Sequence, residues 1–379
     1  MLLPLVNEPR DYAWGSRSLL AALEGRAPSA SPEAEVWFGD HPADPAELLS
    51  GGTLDEVTGG ELPYLLKLLA AADPLSIQVH PTRAQAREGY AREQGMDAAD
   101  PTRNYRDENH KPELLVALSD RFEALAGLRP VPDTLRLLAS LPDAAAVRAL
   151  RERLSDPDES AALRDTIGWL LSGRAQAEVR EICALLVQDS TAADAAPEFA
   201  ETLAALRGIA ERNLGDAGVV VALLMNFVVL RPGQAVYLRA GLLHAYVSGL
   251  GVEIMAASDN VLRGGLTPKH VDVEELLAIV DTAPGAVAVQ PGAGSRVRYE
   301  IPVDDFALQR IDVAGELPVS VRGPAMVLAT AGEVSVSGAT AAERIAVPVG
   351  TAVFATADER ELVLHGRGQV FIAEPGAAR

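Results

Sequence analysis

The chain has 379 residues, 48% hydrophobic and 23% charged, which is ordinary for a globular protein and long enough for two or three domains. Its formal net charge of −20 has the wrong sign for holding nucleic acid by neutralising phosphates. No apolar run approaches the roughly 20 residues of a membrane span, the N-terminus lacks a signal-peptide pattern, and Cys183 is the single cysteine, so we expect a cytoplasmic protein without a membrane partner.

The first third of the chain mixes short apolar runs with clusters of turn residues. Two of these runs predict strands that end at a proline, AEVWFGDHP (34–42) and PLSIQVHP (74–81). Helical spacing then dominates from 131 to 216, where Ser, Asp or Pro stands near several of the starts. This segment predicts an all-helical insert.

Beyond the insert the pattern indicates buried strands and Gly/Pro turns, which we expect to begin at VVVALL (219–224). A further helix is predicted in TPKHVDVEELLAIV (267–280). From about residue 286 onward, short alternating segments at close spacing are typical of a β-sandwich or barrel.

The stretch LSIQVHP (75–81) carries polar side chains at every second position, namely Ser76, Gln78 and His80. In an extended chain these three point to one face, and the intervening apolar residues point to the other. A strand that presents an amide and an imidazole together is a candidate half of a metal site.

A second candidate ligand is His244, which follows Gly233 and Gly241. This spacing resembles the second half of the cupin signature, in which a strand delivers a metal-binding histidine after a tight turn. The match is partial, because Arg239 stands where the family pattern has proline.

The third candidate, Glu113, begins the apolar strand in NHKPELLVAL (109–118). A carboxylate there is costly unless it is paired or bound to a metal ion. Together with His80, His244 and Gln78 it forms a set of two nitrogens and two oxygens. That set favours one Zn²⁺ per chain, with room for water or a substrate oxygen.

The chain has only three lysines, Lys67, Lys111 and Lys269, and its other basic residues are all arginine. A compact ammonium whose pKa can shift is chemically distinct from a guanidinium that stays charged. We therefore expect the three lysines to mark positions where arginine would not serve.

Several motifs together resemble the type I phosphomannose isomerases: YAWGS (12–16), AEVWFGDHP (34–42), PLSIQVHP (74–81), NHKPEL (109–114) and the segment 241–270. The resemblance runs from the N-terminus to about residue 275, outside the helical insert. It implies a zinc enzyme that interconverts mannose 6-phosphate and fructose 6-phosphate. It also implies that zinc is held by Gln78, His80, Glu113 and His244.

The same resemblance implies an active-site wall of eight further residues: Trp14, Glu35, Ser76, Lys111, Glu253, Asp259, Arg263 and Lys269. A phosphate dianion entering so acidic a protein needs local cations, which Lys269 and Arg263 provide. Lys67 lies in an apolar run, so we expect it to be partly buried, reaching the site or pairing with a carboxylate.

Isomerisation moves a proton between C1 and C2 of an open-chain sugar through a cis-enediol. Lys111, Glu253 and Asp259 are candidate bases, and the sequence does not separate them. Lys111 would lose its proton more easily beside a divalent ion. Arg263 would stabilise the enediolate, and His110 is a candidate acid for opening the sugar ring.

The expected fold is mainly β with a helical insert: two cupin-like β-sandwich (jelly-roll) domains plus an all-α domain. The catalytic β domain is expected at 1–130 and 217–285, the insert at 131–216 and the C-terminal β domain at 286–379. We expect a monomer whose partner is a small sugar phosphate.

Two alternatives to the isomerase remain, a metal-dependent cupin oxygenase and a non-catalytic cupin that binds a sugar phosphate. An iron oxygenase favours two histidines and one carboxylate with open positions, whereas Gln78 adds a fourth ligand. A sensor would be expected to lack a ligand or the candidate bases, and the sequence contains all of them.

Overall fold

The computed structural model describes residues 1–188, 196–338 and 343–377. These form a mainly β protein with antiparallel sheets and several helices. The strands are β1 Leu2–Val6, β2 Glu35–Phe38, β3 Glu47–Leu48, β4 Tyr64–Ala71, β5 Gln78–Val79, β6 Glu113–Ala117, β7 Phe122–Leu128, β8 Met225–Leu230, β9 Ala235–Leu238, β10 His244–Ala256, β11 Leu262–Arg263, β12 Val289–Gln290, β13 Arg296–Arg298, β14 Ala307–Ser320, β15 Ala325–Gly338, β16 Ile345–Val347, β17 Ala352–Ala355 and β18 Glu361–Glu374.

The α-helices are α1 Leu19–Leu23, α2 Leu54–Thr58, α3 Arg83–Glu93, α4 Val131–Ala139, α5 Ala145–Arg153, α6 Glu159–Leu171, α7 Gln176–Gln188, α8 Ala200–Arg212, α9 Ala217–Leu223 and α10 Val273–Ile279. A 3₁₀ turn at Pro197–Phe199 precedes α8. Within the ranges that the structure describes, no helix is long and apolar enough to cross a membrane.

The ten-stranded sheet system that contains the first predicted strands is organised around β10. The C-terminal half of β10 pairs with β4 and β6, giving the order β2-β4-β10-β6-β9-β12. Its N-terminal half pairs instead with β5 and β7, giving the order β11-β5-β10-β7-β8. One strand therefore supplies side chains to two sheets.

The change of sheet within β10 occurs at Gly249. The pairing with β7 shifts register between Tyr246 and Ser248, and Gly249 follows with a φ of +123°. A Cβ added there would lie 2.7 Å from Cδ2 and 2.9 Å from Cα of Phe122. Only glycine accommodates both the backbone conformation and this close approach.

The predicted helical insert at 131–216 contains helices α4–α8, and α9 follows directly after it; these helices lie in the chain between β7 and β8. Their apolar faces form one core with residues of β5 and β7, including Val79 and Leu125. Cys183 of α7 is buried in that core. The helices thus cover the outer face of the strands that carry the predicted ligands.

The prediction of a strand at VVVALL is wrong, because Ala217–Leu223 forms helix α9. The side chain of Asp216 caps this helix by accepting a hydrogen bond from the backbone N–H of Gly218 at 2.7 Å. The helix is buried from residue 218 to 223, so its sequence is apolar all round. A short apolar run of this kind does not distinguish a buried helix from a buried strand.

The second sheet contains the C-terminal strands in the order β13-β14-β18-β15-β17-β1-β3, with β16 beside β15. The N-terminal strand β1 therefore pairs with β17, with Leu3 opposite Phe354. The hydroxyl of Tyr64 in β4 also donates to the carbonyls of Pro324 and Ala373, at 3.3 Å each. A single apolar cluster includes side chains from both sheets.

Candidate metal centre and active site

A buried cluster of two imidazoles and one carboxylate lies where three strands approach each other. Nε2 of His80 lies 3.3 Å from Oε1 of Glu113, and Nε2 of His244 lies 3.4 Å from Oε2. One ligand atom from each residue lies within 4.8 Å of the other two. Ligands at about 2.0–2.2 Å from a tetrahedral zinc ion are roughly 3.4 Å apart, so the spacing fits zinc.

Main-chain carbonyls orient both histidines. Nδ1 of His80 lies 2.8 Å from the carbonyl oxygen of Asn260, and Nδ1 of His244 lies 2.9 Å from that of Leu242. A carbonyl can only accept, so Nδ1 carries the proton and Nε2 keeps its lone pair for a metal ion. Among the described residues, the buried Nε2 of His80 has no hydrogen-bond partner, which is costly unless a ligand satisfies it.

The charges in the cluster also match a cation site. Burial lowers the pKa of His80 to about 4, so its imidazole is neutral at neutral pH. Burial opposes the ionisation of Glu113, but the surrounding basic groups, which include the ammonium of Lys111, outweigh burial and hold the pKa of Glu113 well below the usual range. A neutral His80 beside an ionised Glu113 is the pair of protonation states that zinc binding requires.

Gln78 lies beside this cluster in β5, where it pairs with His244 of β10. Its Nε2 donates to Oγ of Ser76 at 3.2 Å, so the two side chains share the face that their alternation predicts. The strand itself is shorter than predicted and comprises only Gln78 and Val79. With the amide nitrogen bonded to Ser76, the amide oxygen is the atom that Gln78 can offer to a cation.

The cluster opens onto a cavity of about 90 Å³. Its lining includes eight residues that the sequence singles out, together with Tyr246: Glu35, Lys67, Ser76, Gln78, Lys111, Glu113, His244 and Glu253. Nζ of Lys111 lies 3.6 Å from Oε1 of Glu113, so one predicted base is beside the predicted metal ligands.

Lys67 is buried within this lining, more fully than the partial burial that its apolar neighbours in the sequence predict. Its Nζ lies 3.5 Å from Oε2 of Glu253 and 3.7 Å from Oε2 of Glu35. Nζ also lies 4.9 Å from the centre of the Trp37 ring, whose Nε1 donates to Glu35 at 2.6 Å. Burial lowers the pKa of Lys67, but the two carboxylates outweigh that effect and raise it, so the ammonium stays charged.

Glu253 has an environment suited to proton transfer near neutral pH. Burial and repulsion from Glu113 raise its pKa to about 7, against the attraction of Lys67. The hydroxyl of Tyr246 donates to Oε1 of Glu253 at 2.7 Å. Burial and the nearby Glu253 raise the pKa of Tyr246, so this phenol remains a neutral donor.

A second pocket, of about 490 Å³, contains the remaining predicted cations. Arg263 and Lys269 line it with Arg106. Burial and then the charge of Arg106 lower the pKa of Arg263, and burial and then Arg263 lower that of Lys269. Arg263 of β11 also pairs with Gln78, so this positively charged pocket borders the cluster of His80, Glu113 and His244. Its positive charge favours an anion.

Asp259 lines the same pocket and pairs with His41. Nε2 of His41 lies 3.1 Å from each carboxylate oxygen of Asp259. The hydrogen bond from His41 lowers the pKa of Asp259 despite its partial burial. A carboxylate stabilised in this way is a weaker base than Glu253.

Two of the predicted substrate-binding and catalytic residues, Trp14 and His110, line neither pocket. The ring of Trp14 stacks on Tyr12 at a centroid distance of 5.8 Å and packs against the apolar cluster of Leu69 and Leu115. Nε2 of His110 lies 2.7 Å from Oδ2 of Asp305, in the C-terminal β region. Their roles in substrate binding and ring opening stay predictions.

Sequence reasoning missed Tyr246, the pairing of His41 with Asp259, and Asp305. The sequence did indicate a position for Tyr246, because this residue follows His244 by two positions and therefore shares its face of β10. No local sequence pattern indicates Asp305, since its contact with His110 spans 195 residues of sequence.

The chain is similar to known proteins along almost its whole length. The family profile described as phosphomannose isomerase type I, catalytic domain, matches residues 2–131. The mannose-6-phosphate isomerase of Salmonella typhimurium is 35% identical over 395 residues, covering 97% of each chain. The human mannose-6-phosphate isomerase is 29% identical, covering 94% of each chain.

Solved structures that superpose on this chain are also phosphomannose isomerases. A mutant of phosphomannose isomerase from Salmonella typhimurium superposes with a TM-score of 0.87 at 31% identity, covering 100% of both chains. A zinc-bound mannose 6-phosphate isomerase superposes with a TM-score of 0.86 at 32% identity, covering 99% of this chain and 100% of the other.

Proposed function

The chain belongs to the type I phosphomannose isomerase family, and we propose that it interconverts mannose 6-phosphate and fructose 6-phosphate at a zinc site. The observation that carries the proposal is the convergence of Nε2 of His80, Nε2 of His244 and the Glu113 carboxylate. The orphaned Nε2 of His80 and the neutral state of its ring fit a cation at their centre. Gln78 is the proposed fourth ligand.

When bound, zinc supplies Lewis-acid polarisation of the sugar oxygens and helps to orient the substrate. The neutral amide of Gln78 leaves Glu113 as the single anionic ligand of the proposed set, so the metal keeps residual positive charge. Oγ of Ser76 accepts a hydrogen bond from the amide nitrogen of Gln78 at 3.2 Å, which leaves the amide oxygen of Gln78 for the metal.

We propose Lys111 or Glu253 as the group that moves the proton between C1 and C2. Both line the cavity, and the pKa of Glu253 of about 7 lies where a general base works best at neutral pH. The hydroxyl of Tyr246 and the ammonium of Lys67 hold the Glu253 carboxylate in place. Asp259, with its lowered pKa, is the less favoured base.

The pocket containing Arg263 and Lys269 is the proposed phosphate site. Cations whose pKa values are lowered by burial and by a neighbouring positive charge gain most from a dianion. Arg263 lies between this pocket and the metal cluster, which also suits the role of stabilising an enediolate. Lys67 and Glu35 would then contact the sugar from the cavity wall.

The proposed function is accompanied by a proposed domain organisation. We propose that the β regions are cupin-like jelly rolls, with a catalytic domain at 1–130 and 217–285, a helical insert at 131–216 and a C-terminal domain at 286–379. The β1–β17 pairing means that such domains would share a sheet. A monomeric, cytoplasmic enzyme is the accompanying expectation.

A coupled isomerase assay tests the function. Purified protein is supplied with mannose 6-phosphate, and the appearance of fructose 6-phosphate is followed before and after removal of metal with a chelator. We expect turnover that chelation abolishes and added zinc restores. Binding of the sugar phosphate without turnover would instead support the non-catalytic alternative.

A further inference from the structure

We propose that Asp305, in the C-terminal β region, is a positioning residue for the metal centre. It joins the two chain segments that carry the ligands His80 and Glu113. The inference rests on the proposed zinc site and adds a function for a region that the catalytic-domain match to residues 2–131 does not include.

The carboxylate of Asp305 contacts both segments. Its Oδ2 accepts from Nε2 of His110 at 2.7 Å, and its Oδ1 accepts from Nη2 of Arg83 at 2.8 Å. Arg83 is the first residue of α3 and follows His80 by three positions. His110 precedes Glu113 by three positions and is adjacent to Lys111.

A further bond ties the two segments to each other beside this carboxylate, because Nε of Arg83 donates to Oδ1 of Asn109 at 3.1 Å. Nε2 of His110 must carry a proton to bond the carboxylate, so His110 and Arg83 both donate to Asp305. One acceptor therefore fixes the relative position of the two loops.

Burial makes this link rigid and strong. The Asp305 side chain is only 5% exposed. Burial raises its pKa, but the hydrogen bond and charge of His110 and the charge of Arg83 outweigh that effect and lower it, so the group is an anion. Charge-assisted hydrogen bonds of a buried carboxylate are stronger than bonds between neutral groups.

Asp305 is itself anchored to the core. The next residue, Phe306, is fully buried in the apolar cluster shared by the two sheets, and β14 begins at Ala307. By contrast, His110 lies in the loop before β6, and Arg83 lies at the first residue of α3. Asp305 thus transmits the rigidity of the C-terminal sheet to the metal centre.

The test compares Asp305→Asn with Asp304→Asn, its exposed neighbour. Zinc affinity and zinc dissociation rate are measured with a chromogenic chelator, and kcat and KM are measured at saturating zinc. Partners that orient metal ligands change metal affinity or activity by about 10- to 100-fold when altered. We expect Asp305→Asn to weaken zinc binding and lower kcat on that scale, while KM changes little and Asp304→Asn behaves as wild type.

A purely structural role would lower the melting temperature of Asp305→Asn but leave its zinc dissociation constant and kcat equal to those of Asp304→Asn. That result would overturn the proposal. Absence of zinc-dependent turnover in the wild-type protein would instead overturn the proposed function, so the two failures are distinguishable.

A second pair of variants covers the case in which Asp305→Asn does not fold. The Arg83 side chain is 41% exposed, so Arg83→Ala removes its bonds to Asp305 and Asn109 with little loss of packing, and Arg87→Ala on the exposed face of α3 is its control. We expect faster zinc dissociation in Arg83→Ala only. Equal zinc dissociation in the two variants would contradict the role of Asp305.

Discussion

In the metal-free protein, Glu253→Gln removes a buried carboxylate whose pKa of about 7 contrasts with the ordinary value of 4.5. Because folding raises this pKa, the folded state holds the proton more tightly than the unfolded chain. Ionisation of Glu253 therefore destabilises the wild-type protein progressively as pH rises from 4.5 to 7, and the penalty is constant above that range. Gln carries no such penalty.

The gap between the two pKa values corresponds to about 3 kcal/mol at 1.36 kcal/mol for each pKa unit. On the order of 2–3 kcal/mol of this develops between pH 5 and pH 8. The free energy of unfolding of Glu253→Gln, relative to wild type, should rise by that amount across the same interval.

The assay is urea unfolding of the chelated proteins at several pH values. Glu361→Gln, at an exposed position of β18, is the control and should track wild type throughout. The difference in the free energy of unfolding between Glu253→Gln and wild type could instead be independent of pH, or fall as pH rises. Either result would mean that burial and Glu113 do not raise the pKa of Glu253 to near 7.

The remaining predictions concern the metal and the lysines. His244→Ala should release zinc, as measured by metal content, and lower kcat by about 10³-fold, because a Lewis-acid metal is worth several kcal/mol; full turnover without metal would exclude the proposed centre. Gln78→Glu should keep zinc but lower kcat, because a second anionic ligand reduces the residual charge of the metal; kcat equal to wild type would contradict this role. Lys111→Arg should lower kcat and Lys269→Arg should raise KM, since a planar guanidinium does not reproduce the compact point charge of an ammonium; wild-type kinetics in both would refute the lysine argument.

Local patterns predicted much of the geometry around the proposed ligands. Two-residue alternation placed Ser76 and Gln78 on one face, and their side chains are bonded at 3.2 Å. The cost of a carboxylate at the start of an apolar strand identified Glu113, which lies between two imidazoles. Such inferences succeed because side-chain direction in an extended segment depends on neighbouring residues alone.

Other features depend on contacts that the local pattern does not contain. Tyr246 reaches Glu253 because β10 changes sheet at Gly249, and His110 turns to Asp305 across 195 positions of sequence. The run VVVALL forms a helix because its capping residue and complete burial decide between two structures that fit the same apolar sequence. Long-range packing determines each of these outcomes.

Stoichiometric reconstitution tests the central claim most directly. Chelated protein is titrated with zinc while mannose 6-phosphate isomerisation and bound metal are measured on the same samples. The structure predicts that activity rises in proportion to bound zinc and stops rising at one ion per chain. Activity that survives complete removal of metal, or that does not follow zinc bound to the wild-type chain, would contradict a single zinc centre at His80, Glu113 and His244.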